Sequence, residues 1–237
     1  MRHRDPVLVS AHRCGAGEDT ASENTLHALE RSLALGVEYV EFDLQRRDDG
    51  SLVVLHDDDG RVDVVRYDAL LAALAGRAHA HVDLKFGSPG GVHEIAAVHQ
   101  ALDALGAGPH VVTTGRAATA RALRAWADAE GRDLLVGLAV GSGVAGLPWR
   151  EQVRRRWAEL FPGDRVAASR ADVLVAHHLL ALLTLRRLAR RRGLRLLVWT
   201  PDHPLLLAYW MRRGRAWLVT TNHPARALAL RAGRLRP

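Results

Sequence analysis

Gly36-Val37-Glu38-Tyr39-Val40-Glu41-Phe42-Asp43-Leu44-Gln45-Arg46-Arg47-Asp48-Asp49-Gly50-Ser51-Leu52-Val53-Val54-Leu55-His56-Asp57 is the most informative stretch of the chain. Two β-rich runs, Tyr39 to Leu44 and Leu52 to Leu55, lie either side of an Asp-Gly turn signal, and Gly36 sits where a C-cap glycine would close the helical pattern Thr25 to Leu35. Within the first run Glu41 and Asp43 occupy alternate positions, so both carboxylates project from the same face of a strand. Two anions on one face repel each other. A strand tolerates them where its face opens onto a site that supplies positive charge.

Outward from this stretch the same rhythm repeats to both ends of the chain. Strand-like runs at Val7 to Ala11, His81 to Leu84, His110 to Thr113, Leu134 to Ala139, Val173 to Ala176, Leu194 to Trp199 and Trp217 to Thr220 alternate with helical patterns. The clearest helical patterns are Val92 to Leu105, Thr119 to Glu130, Leu179 to Arg192 and Pro204 to Arg213. Such alternation implies a parallel sheet. About eight strand runs in 237 residues fit a (β/α)₈ TIM barrel of roughly 250 residues better than an open doubly wound sheet, for which no dinucleotide or phosphate-loop motif is present. One domain over residues 1–237 is expected.

Composition narrows the class further. Hydrophobic residues make up 48% of the chain, which excludes a disordered chain. The single cysteine, Cys14, excludes a disulfide framework and a thiolate zinc site, and beside His12-Arg13 it reads as a small buried residue rather than a nucleophile. No run is long enough to span a bilayer, and the basic start Met1-Arg2-His3-Arg4 lacks a signal-peptide core, so the cytoplasm is the expected location. The formal charge of +7 is almost wholly arginine, and in so Ala-, Arg-, Gly- and Leu-rich a chain it reflects compositional bias; no nucleic-acid partner is expected. Lys85 is the only lysine. If arginine serves wherever any cation will do, this lysine marks a place that needs a compact ammonium and would not fit a planar guanidinium, with chance survival as the other reading.

A barrel places its functional groups at the C-terminal ends of strands, and polar residues end several runs here. Glu41 and Asp43 invite a hard divalent cation. Asp83 is the natural third oxygen ligand, because His81-Val82-Asp83-Leu84-Lys85 sets Asp83 and Lys85 on a common face. Oxygen-only ligation points to Mg²⁺ or Ca²⁺. His12, after the first strand with Arg13 beside it, and His56, at the end of Leu52-Val53-Val54-Leu55, complete the pattern. Two imidazoles that titrate near neutrality can take a proton from a nucleophile and give one to a leaving oxygen. The metal, Arg13 and Lys85 would neutralise charge on phosphoryl oxygens. Phosphodiester cleavage uses them all.

At these residues the chain resembles the glycerophosphodiester phosphodiesterases. The shared pieces are Ala11-His12-Arg13, Ser22-Glu23-Asn24-Thr25, Gly36-Val37, Glu41-Phe42-Asp43-Leu44-Gln45, Asp49-Gly50 and Leu52 to Asp57, followed by Asp83-Leu84-Lys85, Val198-Trp199-Thr200 and Thr220-Thr221-Asn222-His223-Pro224. The resemblance implies a TIM barrel of the phospholipase C-like phosphodiesterase type and hydrolysis of glycerophosphodiesters to glycerol 3-phosphate and an alcohol. It implies His12 and His56 as general acid and base, Glu41, Asp43 and Asp83 as ligands of Mg²⁺ or Ca²⁺, Arg13 and Lys85 on the phosphate, and Trp199 in the substrate pocket.

Four features depart from the family pattern. Cys14 stands where glycine usually follows His-Arg. Asp83 replaces a glutamate, as in the related sphingomyelinase D-like lipases, and Asn222 replaces an aspartate. The family insertion between His56 and Asp83 is shortened, which predicts a more open site. Asp83 and the shortened insertion, together with the segment 148–161, whose Trp149, Val153, Trp157, Leu160 and Phe161 share one helical face, support an alternative, a phospholipase D-like enzyme for lysophospholipid or sphingolipid. That helix is expected to pack its aromatic face on the barrel, with contact to a membrane surface as the other reading. His177-His178 either line the pocket or lie on the surface. A barrel that merely binds phosphate or nucleic acid is the non-enzymatic alternative, which the joint presence of the acids and histidines opposes. The chain leaves its oligomeric state open.

Overall fold

The computed structural model describes residues 5–57, 63–141 and 146–235. The first four residues and the Ser-Gly pair that follows Gly141 lie outside them. Among the described residues ten strands form one sheet: β1 (Leu8–Ala11), β2 (Tyr39–Arg46), β3 (Leu52–Val54), β4 (Val65–Arg66), β5 (His79–Leu84), β6 (His110–Thr114), β7 (Leu134–Val140), β8 (Val173–His177), β9 (Arg195–Trp199) and β10 (Leu218–Thr221). Eight of them, β1-β10-β9-β8-β7-β6-β5-β2, run parallel, and the pairing of β1 with β2 closes the barrel. Closure removes every parallel edge. The (β/α)₈ barrel read from the sequence is the fold of the chain.

The run Leu52 to Leu55 has a different place from the other strands. It folds back antiparallel on the far half of β2, pairing Leu44 with Val54 and Arg46 with Leu52. The Asp49-Gly50 turn makes this possible, Gly50 taking a φ of 87°. β2 therefore outgrows the barrel by a turn's depth, and the hairpin carries His56 to the barrel mouth. Here the sequence pattern yields a strand outside the barrel, since a short apolar run has the same period wherever it pairs.

Two apolar layers hold the structure. Val9, Val40, Phe42, Leu44, Val82 and Val112 face the helical ring together with helix residues such as Leu29, Leu70, Leu123 and Trp210. Inside the barrel Tyr39, Val111, Val173, Val175, Leu197 and Leu218 fill the floor. Each fully buried leucine of this kind contributes roughly 1.5–3 kcal/mol. The floor ends where polar residues begin: Ser10, Glu41, His81 and Thr113 are all buried.

The helix Trp149–Leu160 corrects an expectation. It seats on the barrel through Glu159, which is buried, and through half-buried Gln152 and Leu160, while Trp149, Val153, Trp157 and the adjoining Phe161 face outward. The helical period shows which residues share a face, but the direction of that face is set by what the neighbouring helix offers. Thr184, which donates to the Leu160 carbonyl at 2.7 Å, and Arg156, which pairs with Glu159 at 2.6 Å, anchor the polar side. Among the described residues no helix is long and apolar enough to cross a membrane.

Candidate active site

Strand register brings the acids together. β2 and β5 pair Glu41 with His81 and Asp43 with Asp83, and β6 places Thr113 beside Asp83. One carboxylate oxygen from each of Glu41, Asp43 and Asp83 lies within 4.8 Å of the others. Glu41 and Asp43 are buried, and Asp83 is partly exposed at the open side.

Each acid is held differently. Asp43 accepts from the Asn24 side chain at 2.9 Å and returns its backbone N–H to the Asn24 oxygen at 3.2 Å. Burial would raise its pKa, but Lys85 and the Asn24 hydrogen bond hold it below the usual carboxylate range. Asp83 accepts from the Thr113 hydroxyl at 2.7 Å. That hydroxyl has one hydrogen, so at its 3.3 Å contact with His81 it must accept from Nε2, and Ser10 must then donate to His81 Nδ1 at 3.2 Å. The chain Ser10-His81-Thr113-Asp83 keeps His81 neutral, with burial pushing its pKa down to about 4. Among the described residues Glu41 accepts only from the Arg13 backbone N–H, at 2.6 Å. Burial and then the neighbouring Asp43 and Asp83 carboxylates push its pKa well up.

The loop after β1 is bent to serve Glu41. Arg13 and Cys14 both adopt left-handed backbone, at φ 46° and 63°, and Gly15 follows at φ 85°. Non-glycine residues there cost of order 1–3 kcal/mol each, a strain typical of functional loops. The turn is held by Glu41 on the Arg13 N–H, by the Asn24 N–H on the Arg13 carbonyl at 3.0 Å, and by Ser32 Oγ on the Cys14 carbonyl at 2.8 Å. A Cβ at Gly15 would lie 1.9 Å from Ser32 Oγ, so no other residue fits. Cys14 is fully buried and its thiol pKa is raised by burial, as expected of a packing residue.

Both cations singled out in the sequence lie on the acids. Lys85 Nζ is 2.6 Å from Asp83 and 2.9 Å from Asp43. Burial opposes its charge, but the two carboxylates outweigh that and raise its pKa. The Arg13 guanidinium bridges Glu23 at 2.6 Å and Asp43 at 3.3 Å. A planar guanidinium lies against the loop and a compact ammonium between two strand carboxylates, in keeping with the different shapes of the two groups.

His12 sits in a network that sequence reading missed. Its Nδ1 lies 2.7 Å from Asn222 Oδ1, and Asn222 gives its Nδ2 and backbone N–H to Asp202 at 2.7 and 3.0 Å. Thr221 donates a further bond to Asp202 at 2.9 Å. Asp202 therefore fixes the Asn222 amide so that its oxygen meets His12. Nδ1 must carry the hydrogen, which leaves the Nε2 lone pair 4.0 Å from Glu41. Burial lowers the His12 pKa, so at that distance the two form a contact and not an ion pair. The charge that Asn222 withholds from the last strand is supplied behind it in the network, by Asp202. An acidic residue in the loop after β9, three beyond Trp199, was the available signal.

His56 lines the same cavity from the hairpin, its Nδ1 2.8 Å from the Asp57 carboxylate. Its backbone is pinned by Gln45 on the His56 carbonyl at 2.9 Å. The cavity has a volume of about 540 Å³, and Trp199 and Thr114 lie on its wall with Arg116 at the rim. His177 stays outside the lining but packs edge-on against Trp199 at 5.1 Å, with His178 beside it.

The three oxygens fit a hard divalent cation. They are all carboxylate, they converge, and the buried Glu41 carboxylate, served by one backbone donor, lacks the positive charge that would keep it ionised. With Glu23 on Arg13, the carboxylates outnumber Lys85 and Arg13, and a divalent cation would offset the excess negative charge that otherwise repels an anionic phosphodiester.

Residues 12–72 match the model of the Glycerophosphoryl diester phosphodiesterase family. Over 52 residues, 22% of this chain, the protein is 46% identical to mouse lysophospholipase D GDPD3, of which the match spans 15%. The barrel as a whole superposes on a glycerophosphodiester phosphodiesterase of Parabacteroides distasonis with a TM-score of 0.73 at 16% identity, covering 98% of this chain and 99% of that one. It also superposes on a phosphodiesterase of Oleispira antarctica in complex with its product sn-glycerol-3-phosphate, with a TM-score of 0.70 at 17% identity, covering 95% and 96%. At such identities the structural likeness concerns the fold, whereas the sequence match falls on the segment that supplies both histidines, Arg13 and two of the three acids. The chain is thus similar to the glycerophosphoryl diester phosphodiesterase family over residues 12–72, and along its whole length it shares the barrel fold of these phosphodiesterases.

Proposed function

We propose that the protein hydrolyses glycerophosphodiesters to sn-glycerol 3-phosphate and an alcohol, in the cytoplasm, with Glu41, Asp43 and Asp83 holding one Mg²⁺ or Ca²⁺. The observation that carries this reading is the convergence of the three carboxylates with His12 and His56 on one cavity at the C-terminal mouth of the barrel. The family match and the product complex of the Oleispira relative support the substrate class.

The bound cation supplies a Lewis acid for the phosphoryl oxygens and offsets the carboxylate charge. The side chains do the rest. Lys85 and Arg13, already held on the acids, neutralise charge that builds on the phosphate. His12, with its hydrogen fixed on Nδ1, presents the Nε2 lone pair to the nucleophilic oxygen and takes its proton, whether that oxygen is water or the glycerol hydroxyl next to the ester, the latter giving a cyclic phosphate that water then opens. His56 gives a proton from Nε2 to the leaving oxygen, and Asp57 beside its Nδ1 supports the imidazolium. Trp199 packs against the alcohol portion.

A second reading has its own support: the relative matched at 46% identity is a lysophospholipase D. The two readings share the chemistry and differ in the alcohol. The test is a panel of glycerophosphodiesters and a lysophospholipid, each assayed with EDTA, Mg²⁺, Ca²⁺ or Mn²⁺ on wild type and Glu41→Ala. Metal-restored turnover of small diesters, lost in the variant, is the expected result. Turnover of the lysophospholipid alone selects the second reading, and silence on all substrates overturns both.

A further inference from the structure

The aromatic residues of the 149–160 helix have a use that the barrel does not explain. Trp149 is 69% exposed, Val153 58%, Trp157 66% and Phe161 60%. A lone exposed apolar side chain means little, but four on one face do not occur by packing accident. A second apolar row lies alongside. Leu179, Leu182 and Leu183, at the start of the helical segment after β8, are 50%, 41% and 63% exposed. The Thr184 hydroxyl on the Leu160 carbonyl holds the two elements side by side.

The face carries charge of one dominant sign. On the same helix Arg150 lies over the Trp149 ring at 5.5 Å, and Arg154 and Arg155 share a single acid, Glu151. A 12-residue helix with tryptophan and phenylalanine on one side, arginine at its margins and a low overall hydropathy has the character of an interfacial helix. Tryptophan settles at the headgroup level of bilayers, and arginine meets anionic headgroups there. A second copy of this chain fits poorly, because an isologous contact would bring two copies of the same arginine-rich patch together. The elements follow β7 and β8 and so rise from the same end of the barrel as the cavity, and His177, which begins the second one, packs on cavity-lining Trp199.

We propose that this face docks the protein on an anionic lipid bilayer, with Trp149, Val153, Trp157, Phe161, Leu179 and Leu183 entering the headgroup layer and Arg150 and Arg154 on its phosphates. Docking goes beyond the hydrolytic reading and does not depend on it. It sets the mouth of the cavity beside the membrane.

Vesicle flotation tests the proposal without any turnover. Wild-type protein is mixed with vesicles of phosphatidylcholine alone or of phosphatidylcholine with phosphatidylglycerol, at low and high salt. It is expected to float with the anionic vesicles at low salt, with a blue shift of tryptophan emission, and to stay behind with the neutral ones. Arg150→Glu with Arg154→Glu should weaken binding more than tenfold, since each basic residue near an anionic surface is worth roughly fivefold. Trp149→Ser with Trp157→Ser should abolish it. Circular dichroism and melting confirm that these surface variants stay folded. Wild type that does not float with anionic vesicles, or variants that float as well as wild type, overturn the proposal. A dimer in vesicle-free buffer that the two serines abolish overturns it too, by giving the face to a second copy of this chain.

Discussion

Replacing Asp202 by asparagine exchanges one carboxylate oxygen for an NH₂ and should disable His12 through the intervening Asn222. In the native network the two Asp202 oxygens accept from Asn222 Nδ2, Asn222 N–H and the Thr221 hydroxyl at 2.7, 3.0 and 2.9 Å. An asparagine must turn an NH₂ toward one of these donors. If it meets Asn222 Nδ2, the Asn222 amide flips and offers an N–H to His12, which then keeps its hydrogen on Nε2 and has no lone pair for the nucleophile. If it meets the backbone N–H, a partly buried donor is left unpaired, at a cost of up to about 1–3 kcal/mol. Loss of a general base costs on the order of 10²- to 10⁴-fold. Because the second arrangement keeps part of the population competent, kcat is expected to fall about 10- to 100-fold with KM little changed. The melting temperature should drop by about 2–4 °C per kcal/mol lost, as expected for a domain of this size. Steady-state kinetics on a soluble glycerophosphodiester, alongside a thermal melt, reads both. A variant whose kcat stays within twofold of wild type would refute the reasoning, and a fall in melting temperature alone would leave Asp202 a structural residue.

Three further outcomes are expected. His12→Ala and His56→Ala should each lower kcat on the order of 10²- to 10⁴-fold with the circular dichroism spectrum unchanged, and activity retained by either variant would remove that histidine from the mechanism. Isothermal titration of Ca²⁺ or Mg²⁺ into the metal-free protein should give one site, and Glu41→Gln should abolish it; binding that survives would place the ion elsewhere. For His81, whose folded pKa of about 4 lies below the ordinary 6.5, the sign follows from proton uptake: the unfolded chain binds the proton first, so the stabilisation is complete above pH 6.5 and is lost as pH falls through 4. The loss is worth roughly 3 kcal/mol. Chemical denaturation across this range should show the slope in wild type and a shallower one in His81→Gln, and equal slopes would show that His81 does not titrate there.

Alternation made much of the site legible. Glu41 and Asp43 share a face because a strand has a period of two, and Asp83 with Lys85 follows by the same rule. The strand runs needed only their apolar content and flanking turn residues to be placed. Other features were out of reach. Leu52 to Leu55 looks like any other strand, and only its partner, the far half of β2, shows that it leaves the barrel. The 149–160 helix showed its aromatic stripe in its periodicity, but not that Glu159 rather than the stripe would face the protein. Ser10, His81 and Thr113 look like ordinary strand residues, and their joint hold on Asp83 arises from register across three neighbouring strand pairs.

Alternation, turn residues and strand ends are local properties of the chain, so sequence alone was enough to nominate the side chains of the candidate site. Tertiary structure decided how those side chains are held: Asp43 beside Asp83 through the β2–β5 register, the strained turn that gives Glu41 its single donor, and Asp202 acting on His12 through Asn222. Those relations join residues as many as 210 positions apart, and only closure of the barrel, which pairs β1 with both β2 and β10, fixes the distances between them.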